Sequence, residues 1–258
     1  ALLEETLGAR LFERGRGRVR PTAAGHQLLA RMVRVLRESR DLLEVSRTLG
    51  NPLAGSLRLG VIPTLAPYAL PRLAPALSQA FPTFRPLWRE DQTPDLVEAL
   101  REGQLDGALL ALEADLGDLE TLPLAQDAFH LCVAASHPLA RGRGSVRLER
   151  LEGERLLLLE DGHCLRDQAL SACAATPIEE QSFRATSLPT LVQMVASGLG
   201  MTLLPALAIP VEASRASVVV RPLQAPVPFR TVGLAWRPSS HAASALRQLG
   251  PVLAAALA

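Results

Sequence analysis

Two cysteines stand nine positions apart in the stretch Gly162-His163-Cys164-Leu165-Arg166-Asp167-Gln168-Ala169-Leu170-Ser171-Ala172-Cys173. A thiolate is a nucleophile toward oxidants and disulfides, so two thiols in one short segment could form a redox switch. Nine residues of α-helix rise roughly 13 Å, whereas a disulfide needs Cα atoms about 4.4–6.8 Å apart. An intact helix would therefore keep these sulfurs unbonded, and any bond between them must remodel the segment. The competing reading is two unrelated buried thiols, which the spacing by itself favours because cysteine is among the residues most often found inside. The third cysteine, Cys132 in Phe129-His130-Leu131-Cys132-Val133, lies in an apolar strand pattern and reads as an inert core thiol. The three cysteines and five histidines show no zinc-like spacing, so neither a metal site nor a cofactor is expected.

The chain that must position these thiols has 258 residues, 48% hydrophobic and 21% charged. That is enough to bury one large or two modest cores, and it excludes a disordered protein. Its basic residues are all arginine, and a net charge of +1 hides an asymmetry. Residues 1–50 carry ten arginines against six acids, whereas the rest carries seventeen against twenty. A negatively charged partner is therefore expected at the N-terminal end. No apolar run approaches eighteen residues, and Ala1 to Arg10 has neither the basic start nor the apolar stretch of a signal peptide. The expected location is cytoplasmic, away from membranes, where paired cysteines are redox-active or metal-binding more often than structural.

The chain opens with a short helical piece and an arginine- and glycine-rich turn, then Pro21-Thr22 starts a new helix. From Thr22 to Leu49, Leu28, Val35, Leu42 and Leu49 recur at heptad spacing beside Leu29, Leu36 and Leu43, a wide apolar stripe suited to pairing with a second helix. Gly50-Asn51-Pro52 ends it. Strands are expected at Ser56–Ile62, Phe84–Glu90 and Leu105–Leu112, with helices at Tyr68–Ala80 and from near Thr93 to Arg101. Strands alternating with helices imply a parallel sheet. A second set follows: strands at Phe129–Ala134, Leu156–Leu159 and Met201–Leu204, helices at Leu165–Ala172 and Leu188–Ala196. Strands at Val218–Val220 and Thr231–Trp236 and a final helix at Ala242–Leu257 complete an α/β chain.

Residues 3–14, LEETLGARLFER, with the turn from Gly15 to Arg20, resemble the end of the recognition helix and the wing in LysR-type transcriptional regulators. The given sequence begins inside that motif, so by itself it is expected not to read base edges, although Arg14, Arg16, Arg18 and Arg20 could touch DNA phosphates or simply decorate a solvated turn. The two helix-and-strand sets are similar to the periplasmic-binding-protein-like effector domain of the same regulators. The resemblance implies a winged-helix remnant at 1–21, a linker and dimerisation helix at 22–52, and a regulatory domain at 53–258. Within that domain it implies one subdomain of about 55–126 plus 233–258 and a second of about 127–232. A ligand in such a fold lies between the subdomains.

The segments GVIPTLAPYALP, LLLLEDGHCLRDQALSAC, FRATSLPTL and MTLLPALA are similar to the hydrogen-peroxide-sensing members of that family. The resemblance implies that peroxide oxidises Cys164 to a sulfenic acid and that Cys173 resolves it to a disulfide. The bond would change a homodimer or tetramer and, through DNA and RNA polymerase, transcription; thioredoxin or glutaredoxin would reset it. For this chemistry Cys164 needs its pKa lowered by a cation or a helix N-terminus. Thr64 and Thr93 are expected to hydrogen-bond the peroxide, ordinary helix capping being the alternative. Arg230 in Pro228-Phe229-Arg230 is expected near the sulfur, and His163 to orient water or support the thiolate. One departure is Ser182, where a peroxide-sensing member has histidine. Other readings are a regulator of the same family sensing a small organic effector in the cleft, a thiol peroxidase, and a solute-binding protein, the last disfavoured by the N-terminus.

Overall fold

In the computed structural model the backbone is described for residues 2–15, 18–47, 52, 53, 55–142 and 144–258, and side chains for all of these except 14, 15, 18, 30, 37, 40, 41 and 43–47. The chain divides into two compact units, Ala1–Asn51 and Pro52–Ala258.

In the first unit a short helix, α1 (Leu2–Leu7), precedes an antiparallel pair, β1 (Phe12–Gly15) and β2 (Arg18–Pro21). The Glu4 carboxylate accepts the Leu11 and Phe12 amides at 2.8 and 3.2 Å, tying α1 to the hairpin; these donors hold its pKa below the ordinary value. Thr22 then caps the long helix α2 (Ala23–Arg47), its hydroxyl accepting the Gly25 amide at 3.0 Å and donating to the Arg10 carbonyl at 2.6 Å. Gly25 is needed because a Cβ there would lie 2.2 Å from the Leu11 carbonyl oxygen. α2 is about 37 Å long. Its stripe leaves Leu29, Val35, Leu36 and Leu42 between 45% and 70% exposed, with Leu28 half-buried. The Leu43 side chain, Leu49 and the expected break at Gly50-Asn51 lie outside the described residues.

The second unit runs β3 (Ser56–Val61), α3 (Ala66–Ala80), β4 (Arg85–Glu90), α4 (Thr93–Arg101), β5 (Gly107–Ala111), β6 (Glu120–Ala134), β7 (Arg155–Leu159), α5 (Cys164–Ala172), β8 (Glu179–Ala185), α6 (Leu188–Ala196), β9 (Thr202–Pro205), α7 (Ile209–Arg215), β10 (Val218–Pro222), β11 (Phe229–Trp236) and α8 (Ala243–Leu257). Pro71 and Pro75 lie within α3 on its solvent side, while Leu73 and Leu77, one turn apart, are fully buried. Two apolar cores form. One gathers residues from 53–119 and 232–257, the other residues from 129–223 together with Tyr68 of α3. This is a mixed α/β fold of two subdomains, crossed by β6 and β11.

The three strands of the first set pair in parallel, β3 with both β4 and β5, as the alternation of strands and helices implies. β7 and β8 are parallel too, whereas β11 is antiparallel to β5 and β6, and β6 is antiparallel to β9 and β10. The reason is topological: β6 carries the chain out of the first subdomain and β11 brings it back. β6 also begins nine residues before the expected strand start, because its first half is only partly covered and shows no apolar run. β8, polar and paired with β7, and α7, opening on Ile209-Pro210, lacked apolar periodicity and were not expected.

Candidate functional site

α5 begins at Cys164 and Cys173 caps its C-terminus; all three cysteines are free. Leu165, Ala169 and Cys173 sink into the second core, whereas Cys164, half-buried, packs against the first. One short helix thus presents its two sulfurs to two different environments. Cys164 also lines a cleft of about 1060 Å³, together with Thr93, Val97, Phe129 and the half-exposed Phe229.

The threonines arrive by different routes. Thr64, in the β3–α3 turn, and Thr93, the first residue of α4, are 3% and 6% exposed, and neither hydroxyl caps a helix. Thr64 Oγ1 instead accepts a hydrogen bond from Arg230 Nη1 at 2.8 Å, and its carbonyl accepts Nη2 at 3.1 Å. The buried Thr93 hydroxyl has no hydrogen-bond partner, lines the same cleft as Cys164 and favours its thiolate.

Arg230 is completely buried on β11, and its charge also favours the thiolate at Cys164. Its counter-ion is Asp127 of β6, 2% exposed, whose Oδ2 accepts a hydrogen bond from Nε at 3.0 Å and lies 2.9 Å from Nη2. Burying such a pair is costly unless further hydrogen bonds complete it, and here Thr64 on one side and the Leu207 amide, 3.0 Å from Asp127 Oδ1, on the other do so.

Burial nevertheless dominates at Cys164 and pushes its thiol up, while Arg230, Thr93 and the Leu165 amide pull it down and the Glu113 carboxylate opposes them. The expectation of a lowered pKa is therefore not met in this state, because desolvation of the sulfur outweighs its cation. Burial raises Cys173 to about 11 and Cys132 to about 12, so neither is a ready nucleophile.

His163 is buried beside Cys164 in sequence but lines a different cavity from the thiol. Its Nε2 lies 3.4 Å from Gln92 Nε2 and 3.9 Å from Glu160 Oε1, and burial lowers its pKa against the pull of Glu160. These groups line a separate polar cavity of about 370 Å³ with Thr64 and Ser187. In the first unit Arg20 is exposed; the side chains of Arg14 and Arg18, and all of Arg16, lie outside the described residues. Ser182 sits in β8. Among the described residues no His, Cys, Asp or Glu cluster is suited to a metal ion, and no helix is long and apolar enough to cross a membrane. Asp127, Glu113 and Gln92 were not foreseen, since only their cross-strand and cross-cleft placement reveals them.

Residues 50–258 match the family model described as LysR substrate binding domain. The chain belongs to the LysR family of transcriptional regulators. Among LysR relatives, the DNA-binding transcriptional dual regulator OxyR of Escherichia coli K12 is 43% identical over 98% of this chain and 83% of its own length. A hydrogen peroxide-inducible genes activator of Dickeya chrysanthemi is 42% identical over 96% of this chain and 81% of its own. The structure of a cysteine-to-serine variant of Corynebacterium glutamicum OxyR bound to H2O2 superposes with a TM-score of 0.77 at 35% identity, covering 99% of this chain and 81% of that one. These LysR proteins are regulators, not enzymes, which sets the thiol-peroxidase reading aside.

Proposed function

We propose that this LysR-family chain is a peroxide-responsive DNA-binding regulator in which Cys164 is the peroxidatic thiol and Cys173 resolves it. The observation that carries the reading is Cys164 at the start of α5, lining one cleft with Thr93, its thiolate favoured by the Arg230 guanidinium that Thr64 holds. The peroxide-linked names of its relatives support it.

The chemistry balances as follows. The Cys164 thiolate attacks one peroxide oxygen, the O–O bond breaks, and hydroxide leaves and is protonated to water; Cys164 becomes a sulfenic acid. Thr93 donates to the incoming peroxide, and Arg230 stabilises the charge that moves from sulfur to the leaving oxygen. Once Cys173 leaves the core its sulfur attacks the oxidised sulfur and expels hydroxide, which takes up the Cys173 thiol proton to give a second water, leaving the disulfide. Because α5 separates the sulfurs, this second step unwinds the helix, and we read that rearrangement as the signal passed to a homodimer or tetramer, to DNA and to RNA polymerase. A cytoplasmic dithiol reductant such as thioredoxin or glutaredoxin resets the switch. His163 is assigned a supporting role through the loop before α5, and Arg14, Arg16, Arg18 and Arg20 contacts to DNA phosphates.

Treating the reduced protein with one equivalent of hydrogen peroxide and mapping peptides without reductant tests this. A Cys164–Cys173 link that disappears in Cys164→Ser is expected; both thiols free after treatment overturns it. The polar cavity beside Thr64 and His163 favours a second reading, a small effector bound between the subdomains. Calorimetric binding of such a molecule, with a response that survives Cys164→Ser, would select it.

A further inference from the structure

Asp127 and Arg230 are direct cross-strand partners where β6 and β11 pass between the two cores. Each carries a tie to one subdomain. Arg230 binds the Thr64 hydroxyl and carbonyl in the β3–α3 turn of the first, and Asp127 binds the Leu207 amide in the β9–α7 connection of the second. Leu207 in turn packs against both cores.

The geometry at the guanidinium is specific. Nε donates to Asp127 Oδ2, which also lies 2.9 Å from Nη2, while Nη2 donates to the Thr64 carbonyl and Nη1 to the Thr64 hydroxyl. A guanidinium held along one edge cannot rotate about its terminal bonds, which fixes the position of the charge that favours the Cys164 thiolate.

From this arrangement we propose that Asp127 is the positioning residue of the sulfur site, fixing Arg230 against Thr64 and Cys164 and anchoring that cation to the second subdomain through Leu207. The proposal rests on the peroxide reading of Cys164 and adds a residue to it. An asparagine at this position cannot replace the carboxylate. Its single oxygen can serve the guanidinium or the Leu207 amide, and the amino group then confronts the other donor. The cation is released from its place.

The test uses the full chain and two readouts, the rate of Cys164 oxidation by hydrogen peroxide and the pH midpoint of Cys164 alkylation followed on its own peptide. Asp127→Asn is expected to slow oxidation at least tenfold and to move the midpoint up, because the cation no longer sits by the sulfur. Asp127→Glu, which keeps the charge on a longer stem, should recover part of the rate. Rate and midpoint both at the parent's values would overturn the proposal. So would a lower midpoint with faster oxidation, since Asp127 would then only dampen the charge of Arg230. Should Asp127→Asn fail to fold for want of a counter-ion, the double variant Asp127→Asn/Arg230→Gln buries no lone charge and is compared with Arg230→Gln, in which the Asp127 carboxylate keeps the Leu207 amide. Equal oxidation rates in these two support action through Arg230, and a further tenfold loss in the double variant refutes it. A parent chain inert to peroxide would sink the peroxide reading alone, and the alkylation midpoints would still decide the role of Asp127.

Discussion

Cys164 and Cys173 stand at opposite ends of α5 and are buried against different cores, Cys164 against the one built on β3 to β5 and Cys173 inside the one built on β7 to β10. The helix is the barrier to their bond. A disulfide must lift Cys173 out of the second core, losing the burial of a side chain now 5% exposed.

Oxidation is therefore expected to unravel α5 while leaving α6 in place. Hydrogen exchange should show protection of the amides from 166 to 173 falling at least tenfold after one equivalent of peroxide. The Cys173→Ser variant should keep its protection although Cys164 is still oxidised. Full protection of α5 in a protein that carries the disulfide would contradict this.

The thiols also set a pH dependence. Folding raises the Cys173 pKa from its ordinary value of about 8.5 to about 11, so the folded chain keeps that proton longer than the unfolded one. Stability from this group is intact below about pH 8.5 and is lost as pH rises through about 11, at up to roughly 1.4 kcal/mol per pH unit. In urea unfolding between pH 8 and pH 11, Cys173→Ala should lack that share of the slope. His163, whose pKa burial lowers, acts at the other end: its contribution is present above about pH 6.5 and is lost on acidification through its lower folded value.

Gly162 lies against the side-chain amide of Gln92, which must swing aside for any Cβ there. A Cβ on Gly162 would lie 2.0 Å from Gln92 Oε1, and the backbone sits at φ +93°. Gly162→Ala is expected to destabilise the chain by about 1–3 kcal/mol. Adding Gln92→Ala should recover the steric part and leave the backbone part, about 1 kcal/mol. Thermal unfolding of the single and double variants checks this, and an unaffected single variant rejects it.

The exposed face of α2 is expected to hold two chains together. Val35→Glu with Leu42→Glu should weaken self-association at least tenfold in sedimentation equilibrium and leave the rate of Cys164 oxidation unchanged. Unchanged association would place the dimer contact elsewhere.

The amino-acid sequence by itself determined the local elements and the chemistry available to them. Apolar periodicity located α3, α4, α6 and α8, Thr22 announced the start of α2, and the spacing of Cys164 and Cys173 implied that a helix would keep them apart. These are signals carried by neighbours in sequence. Where such signals were weak, as in the half-covered start of β6, the polar β8 and Ile209–Arg215, the elements stayed hidden. Only the tertiary structure decided the antiparallel course of β6 and β11, the partition of one helix's two sulfurs between two cores, and the balance by which desolvation outweighs Arg230 at Cys164. It also decided that Asp127 faces Arg230. Those residues are separated by more than a hundred positions, and the crossing of β6 and β11 brings them within hydrogen-bonding distance. Burial and ion pairing depend on which distant segments share a space, and local spacing carries no record of that.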